Sequence, residues 1–168
     1  MSLSRYPLAI ERIGSNRACS HAPIIVVESV TKKETIAKFS GVEVFVISRR
    51  RDVFCKRGIG IDFGTYLPII DYTDNITVDL IALSVKTTRR NVYLAFDPDR
   101  EGFALATLVA NFIKNNAAAI INVEIHDLSE TGLREGLARA VLWDTVNHYN
   151  FESYLGRIVI DRLIPFPS

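Results

Sequence analysis

The sequence predicts an α/β fold, a mostly parallel sheet with helices on both faces. Three observations predict it. Short, continuous apolar runs recur along the chain: "PIIVVES" (23–29), "VEVFVIS" (42–48), "NVYLAF" (91–96) and "AAAIINVEI" (117–125). Unbroken runs of this length suit strands that are covered on both faces. Stretches with helical spacing of apolar residues lie between them, so strands alternate with helices, as parallel βαβ crossovers require.

The elements follow in order. Residues 1–22 are mixed and read as a lead-in segment, with residues 23–168 as the folded domain. Thr31 and Glu34 are spaced as a capping box, which predicts a helix from Thr31, and Gly41 ends it. After the second strand, "RRRD" and "CKRGIG" bring positive charge and a turn. "TYLPIIDYT" (65–73) is extended only as an edge or irregular segment, because Pro68 removes a backbone donor. Val78, Ile81, Ala82 and Val85 predict a helix over 77–90. A further helix runs from Gly102 to Lys114. Asp127 and Glu130 are spaced as a second capping box before Leu133 and Leu137, which share a helical face. "FESYLGRIVIDRLI" (151–164) is helical, and Pro165 and Pro167 stop it.

Composition excludes several classes. The chain has 168 residues, 48% hydrophobic and 23% charged, with a formal net charge of +1. That length suits one domain with a tail and needs no disulfide or structural metal for a core. A near-neutral chain has no general basic field, so any nucleic-acid contact rests on local clusters. Cys19 and Cys55 fit no metal-ligand spacing, and reduced thiols in a cytoplasmic protein are expected. No apolar run reaches the length of a membrane span, and no secretory signal is visible.

The chemistry gathers at "VYLAFDPDREGFALA". Asp97 ends an apolar strand, and Glu28 ends another in "IIVVE". Ligands of open parallel sheets collect at the carboxyl ends of strands, so neighbouring strands would give these acids one address. Asp97, Asp99 and Glu101 form D-x-D-x-E. In an extended stretch residues two apart point the same way, and Pro98 disfavours helix at Asp97. Three carboxylates this close repel one another, which a hard divalent cation relieves. A solvated helix cap near Gly102 explains Asp99 and Glu101 equally well. Lys32, in a first helical turn where the dipole disfavours a cation, is either a surface lysine or a group for an anionic substrate. Arg49, Arg50 and Arg51 either track a phosphate backbone or are solvated charge.

Together these residues resemble the toprim domain of type IA DNA topoisomerases. "IIVVESVTKKETIAKFSG" is similar to the family's opening strand and helix, and "VYLAFDPDREGFALA" to its acidic signature. "HDLSETGLREGLARA" and "GRIVIDRLI" are similar to two later stretches. The resemblance covers roughly residues 23–164 and implies a toprim (Rossmann-like) sheet. It implies Mg2+ on Asp97, Asp99 and Glu101, proton transfer by Glu28 and phosphate stabilisation by Lys32; because Glu28 would work on the proton and not the metal, it is expected at the rim of the site. It implies DNA contacts at Arg100 and Arg157. Its implied partners are a single-stranded region of DNA and the remaining topoisomerase domains, with no membrane.

The sequence departs from the family at Val30 (usually proline), Phe103 (usually an acid) and Asn122 (often arginine). The family's Gly-His turn after the second strand is not evident in "SRRRDVFCKRGIG". None of the six tyrosines stands in the nucleophile context, which in the family belongs to another domain. The implied activity is therefore that of a longer protein, with the isolated chain inactive. A stand-alone toprim nuclease or primase-like protein, and a non-catalytic DNA-binding module, are the alternatives.

Overall fold

The computed structural model describes residues 22–40, 42–47, 54–56, 60–72, 76–145 and 151–164. In chain order the elements are β1 (Ile24–Val27), α1 (Val30–Ser40), β2 (Glu43–Val46), β3 (Ile61–Asp62), β4 (Leu67–Pro68), α2 (Ile76–Thr88), β5 (Asn91–Leu94), α3 (Arg100–Ile113), β6 (Ala119–Asn122), α4 (Glu130–Ala138), β7 (Val141–Leu142) and α5 (Phe151–Leu163), with a 3-10 turn at Trp143–Thr145. The main sheet runs β2-β1-β5-β6-β7. The first four of these strands are parallel, and β7 pairs antiparallel with β6. The expected lead-in, residues 1–22, lies outside the described residues except for Ala22.

Both faces of the sheet are covered, as the continuous apolar strands require. Ile24, Val26, Val92, Leu94 and Phe96 face α2, α3 and α5 through Val78, Ile81, Val85, Leu105, Leu108 and Ile158. The alternate residues Ile25, Val27, Tyr93 and Ala95 face α1 and α4 through Ile36, Leu133 and Leu137. Side chains two apart on a strand share a face, so one unbroken apolar run serves two cores.

The segment around Pro68 stands apart from this sheet. β3 and β4 form a separate antiparallel pair, in which Pro68 lies opposite Ile61. The Asp62 carboxylate accepts the Gly64 N–H at 2.7 Å and fixes the turn between them. Sequence periodicity passes over β3 and β7, because two-residue strands carry no repeat to detect.

Two helix starts differ from expectation. α1 begins at Val30, and the Ser29 hydroxyl, not Thr31, accepts the Lys32 N–H (3.2 Å). α4 is capped by Ser129, which accepts the Gly132 N–H (3.1 Å), while Asp127 binds Ser129 instead. In each case the serine lies just outside the helix with its oxygen aimed at the third helical N–H. That geometry decides the cap, and S/T-x-x-E spacing alone does not.

Candidate functional site

The strand order reverses between β1 and β5. Its neighbours run β1 to β2 on one side and β5 to β6 on the other. The ends of two adjacent parallel strands diverge there into a crevice, the usual ligand position in open α/β sheets. The Ala95 N–H still bonds the Val26 carbonyl (2.9 Å), so the ladder stays in register up to the residues that leave it. Glu28 emerges from β1 and Asp97 from β5, side by side. The expected shared address of the two acids is present.

Lys32 joins them. Its Nζ donates to Glu28 Oε1 (2.8 Å), to Asp97 Oδ1 (2.9 Å) and to the Ala95 carbonyl (3.1 Å). An ammonium has three donors, and all three are used. The side chain is buried, so the surface-lysine reading is excluded. One turn of helix separates Glu28 from Lys32, which brings a residue at the strand end under one in the first turn of α1. The Ala95 carbonyl is a partner that the sequence did not reveal, since a backbone oxygen leaves no trace in residue type.

Glu28 is 6% exposed and lies inside the cluster, not at its rim. Its Oε2 is buried with no hydrogen-bond partner among the described residues. Burial pushes its carboxyl above the ordinary value of 4.5; Lys32 pulls it down and the neighbouring Asp97 carboxylate pushes it up. Burial is the larger cause; protonation would also turn Oε2 into a donor beside Asp97, which adds to the rise. A carboxyl so placed holds its proton to a higher pH than a free one, as a group that takes up and releases a proton needs.

The acidic triplet is not extended throughout. Asp99 is extended (φ −121°, ψ 174°) and caps α3, its Oδ1 accepting the Gly102 N–H at 2.8 Å. The helix therefore begins at Arg100, and Glu101 already belongs to its first turn. Asp97 and Asp99 line one cleft with Arg100, Asn122 and Glu124, whereas Glu101 does not. The helix-cap reading thus holds for Asp99. The cap engages Asp99 Oδ1. Among the described residues no group of three or more His, Cys, Asp or Glu side chains is arranged to hold a metal ion by itself.

Gly102 is required by close approach. A Cβ there would overlap the Asp97 carbonyl oxygen and stand 3.0 Å from the Asp97 nitrogen. Gly132 repeats the arrangement, because a Cβ there would overlap the Asp127 carbonyl oxygen. In both places the chain folds back over the third residue of the helix it is about to enter.

The arginines divide. Arg100 is exposed and its Nη1 donates to Ser153 Oγ (3.2 Å), tying the start of α3 to α5. Arg157 lies one turn beyond Ser153 on α5 and pairs with Asp161 (3.1 Å). Arg49, Arg50 and Arg51 lie outside the described residues. Of the tyrosines, Tyr72 donates to the Leu108 carbonyl (2.9 Å) and burial pushes its hydroxyl up to about 12. Tyr93 and Tyr154 are buried in the core, and Tyr66 is exposed on the β3–β4 turn. Tyr6 and Tyr149 lie outside the described residues. No helix among the described residues is long and apolar enough to cross a membrane.

Comparison with known proteins agrees with this geometry. The chain is 30% identical over 149 residues to DNA topoisomerase 1 of Campylobacter jejuni, covering 84% of this chain and 21% of that protein. It is 29% identical over 147 residues to DNA topoisomerase 1 of Aquifex aeolicus, covering 85% of this chain and 26% of that protein. The chain thus spans about a quarter or less of the length of these curated relatives. A solved structure of full-length topoisomerase I from Thermotoga maritima superimposes with a TM-score of 0.60 at 21% identity, covering 84% of this chain and 24% of that one, which shows a shared fold. Residues 23–128, which contain Glu28, Lys32 and the acidic triplet, match the Toprim domain, and the chain belongs to that family.

Proposed function

We propose that the chain is the toprim portion of a type IA DNA topoisomerase, serving Mg2+-dependent cleavage and resealing of one DNA strand. The nucleophilic tyrosine and the remaining domains belong to the longer protein, and the compartment is cytoplasmic. The observation that carries this reading is the meeting of Glu28, Lys32 and Asp97 at the switch point of the sheet. Glu28 holds the proton that a leaving 3′ oxygen needs and accepts it back when that oxygen attacks. Lys32 keeps both acids in place and presents positive charge towards the phosphate. Arg100 and Arg157 bind the backbone, which fixes the strand across the strand ends.

The residues fit Mg2+ in part. Asp97 keeps a side-chain exposure of 32%, Asp99 and Glu101 stand on the same turn, and hard oxygen donors suit the ion. When bound, the ion neutralises phosphate charge as a Lewis acid. Mg2+ commonly takes one or two carboxylates and completes its shell with water and substrate phosphate, which agrees with an incomplete set of protein ligands.

In a Mg2+ titration followed by backbone amide shifts, changes should centre on residues 97–102. They should strengthen with a single-stranded oligonucleotide and vanish in Asp97→Asn/Asp99→Asn. Equal perturbation of all exposed acids, unchanged in that variant, would leave the triplet as a helix cap. That result would favour the second reading, a non-catalytic DNA-binding module, which the capping role of Asp99 supports.

The isolated chain should not relax supercoiled DNA, because none of its six tyrosines stands in the nucleophile context, and Tyr72, Tyr93 and Tyr154 are committed to packing. Relaxation by the purified 168-residue chain, with contaminating enzyme excluded, would instead support a self-contained enzyme.

A further inference from the structure

The Lys32 ammonium has three N–H groups, and Glu28, Asp97 and the Ala95 carbonyl take all three. It can therefore touch a phosphate only by giving up one of these partners. They differ in what release would cost. The Glu28 side chain is 2% exposed, and the carbonyl belongs to the buried Ala95, so water could replace the ammonium at neither. An acceptor stripped of its donor there would stay unpaired, which is costly. Asp97 has a side-chain exposure of 32% and lines the cleft beside the first turn of α3. Asp97 is the partner that can be released.

The same carboxylate belongs to the cation reading. An ammonium at 2.9 Å from one of its oxygens and a divalent cation on the same group would be two close positive centres. Repulsion at such range, between groups largely shielded from water, is little weakened by salt. Lys32 thus already serves Asp97 as its cation, and a metal ion has to compete with it. The competitor is tethered by its bonds to Glu28 and the Ala95 carbonyl, so it is always at hand.

We propose that Lys32 makes loading of the cation conditional on phosphate. Until a phosphate reaches the crevice, the ammonium holds Asp97. When it arrives, Lys32 turns its third N–H from Asp97 to a phosphate oxygen and keeps Glu28 and the Ala95 carbonyl. Asp97 then takes the cation. Phosphate and cation favour each other through this one side chain, and the coupling is reciprocal by thermodynamic necessity. The inference rests on the reading that Asp97 serves Mg2+ and that the substrate brings the phosphate.

Mg2+ titrations of the full chain, followed by backbone amide shifts at residues 97–102, test it without turnover. The comparison is made in Glu28→Gln, which removes the buried charge that Lys32 would otherwise leave behind. Adding Lys32→Met to that background should tighten Mg2+ binding roughly tenfold or more in the absence of DNA, because the internal competitor is gone. Lys32→Gln in the same background keeps a neutral donor and should tighten binding as well, so a poorly folded methionine variant does not decide the matter. A short single-stranded oligonucleotide should tighten Mg2+ binding in the wild type, and by a smaller factor once Lys32 is replaced. Binding in both Lys32 variants that is no tighter than in Glu28→Gln overturns the gate and leaves the Mg2+ reading intact. Shifts at residues 97–102 that appear in no variant, with or without oligonucleotide, remove the Mg2+ reading and the gate with it.

Discussion

Replacing Lys32 by methionine is expected to lower stability by about 3 kcal/mol at neutral pH. The aliphatic length is kept, so the loss is electrostatic. Glu28 and Asp97 lose their shared counter-charge, and the Ala95 carbonyl loses a donor. Asp97 keeps contact with water, which holds the loss to the lower end of what breaking a buried pair usually costs. The pH dependence has a definite sign. Glu28 has a raised folded-state carboxyl pKa, and Lys32 is the group that restrains the rise. Removing Lys32 raises it further. A carboxyl with a raised folded pKa contributes stability that is fully present below its unfolded value and lost as pH rises through the folded value. The deficit of Lys32→Met should therefore be small in acid and grow once the pH passes the raised folded value of Glu28. Urea unfolding at acid and neutral pH measures it. Glu28→Gln in the same chain should restore much of the loss at neutral pH, because the buried charge is gone. A deficit that is equal at both pH values, or unrelieved by Glu28→Gln, would show that the three groups are not one electrostatic unit.

Gly102→Ala should cost about 2–3 kcal/mol and disturb the site as well. The new methyl meets the backbone of Asp97, which cannot rotate away as a side chain would. Either α3 shifts outward, losing the Asp99 cap, or Asp97 moves off Lys32. Gly132→Ala is the control. It makes the same clash with the Asp127 backbone at the start of α4, away from the acids. Both variants should unfold at lower urea, but only Gly102→Ala should also shift the Asp97 and Lys32 resonances. If Gly102→Ala unfolds with the wild type, the close approach is softer than this packing implies.

The reading of the chain from its residues succeeded where pattern is long and failed where it is short. β1, β2, β5 and β6 were legible because each is an apolar run between breakers, and β1 and β5 ended in the acids that mark the crevice. The helices were legible from apolar spacing at Val78, Ile81 and Val85 and at Leu133 and Leu137. β3 and β7 span two residues each, too short for any period. The caps of both boxes were misplaced by two residues, because Ser29 and Ser129 compete for the same role with Thr31 and Asp127.

Sequence by itself determined the α/β architecture, the two covered faces and the placing of acids at two strand ends, because these depend on local periodicity and on residue type. Tertiary structure alone decided that Lys32 is buried between Glu28 and Asp97, since those partners are 4 and 65 positions away and meet only when β1 and β5 pair. It also decided that Asp99 caps α3, and that Phe103, Asn122 and Glu124 enclose one cleft. Contacts of this kind depend on how strands are ordered in the sheet, which no local pattern of side chains encodes.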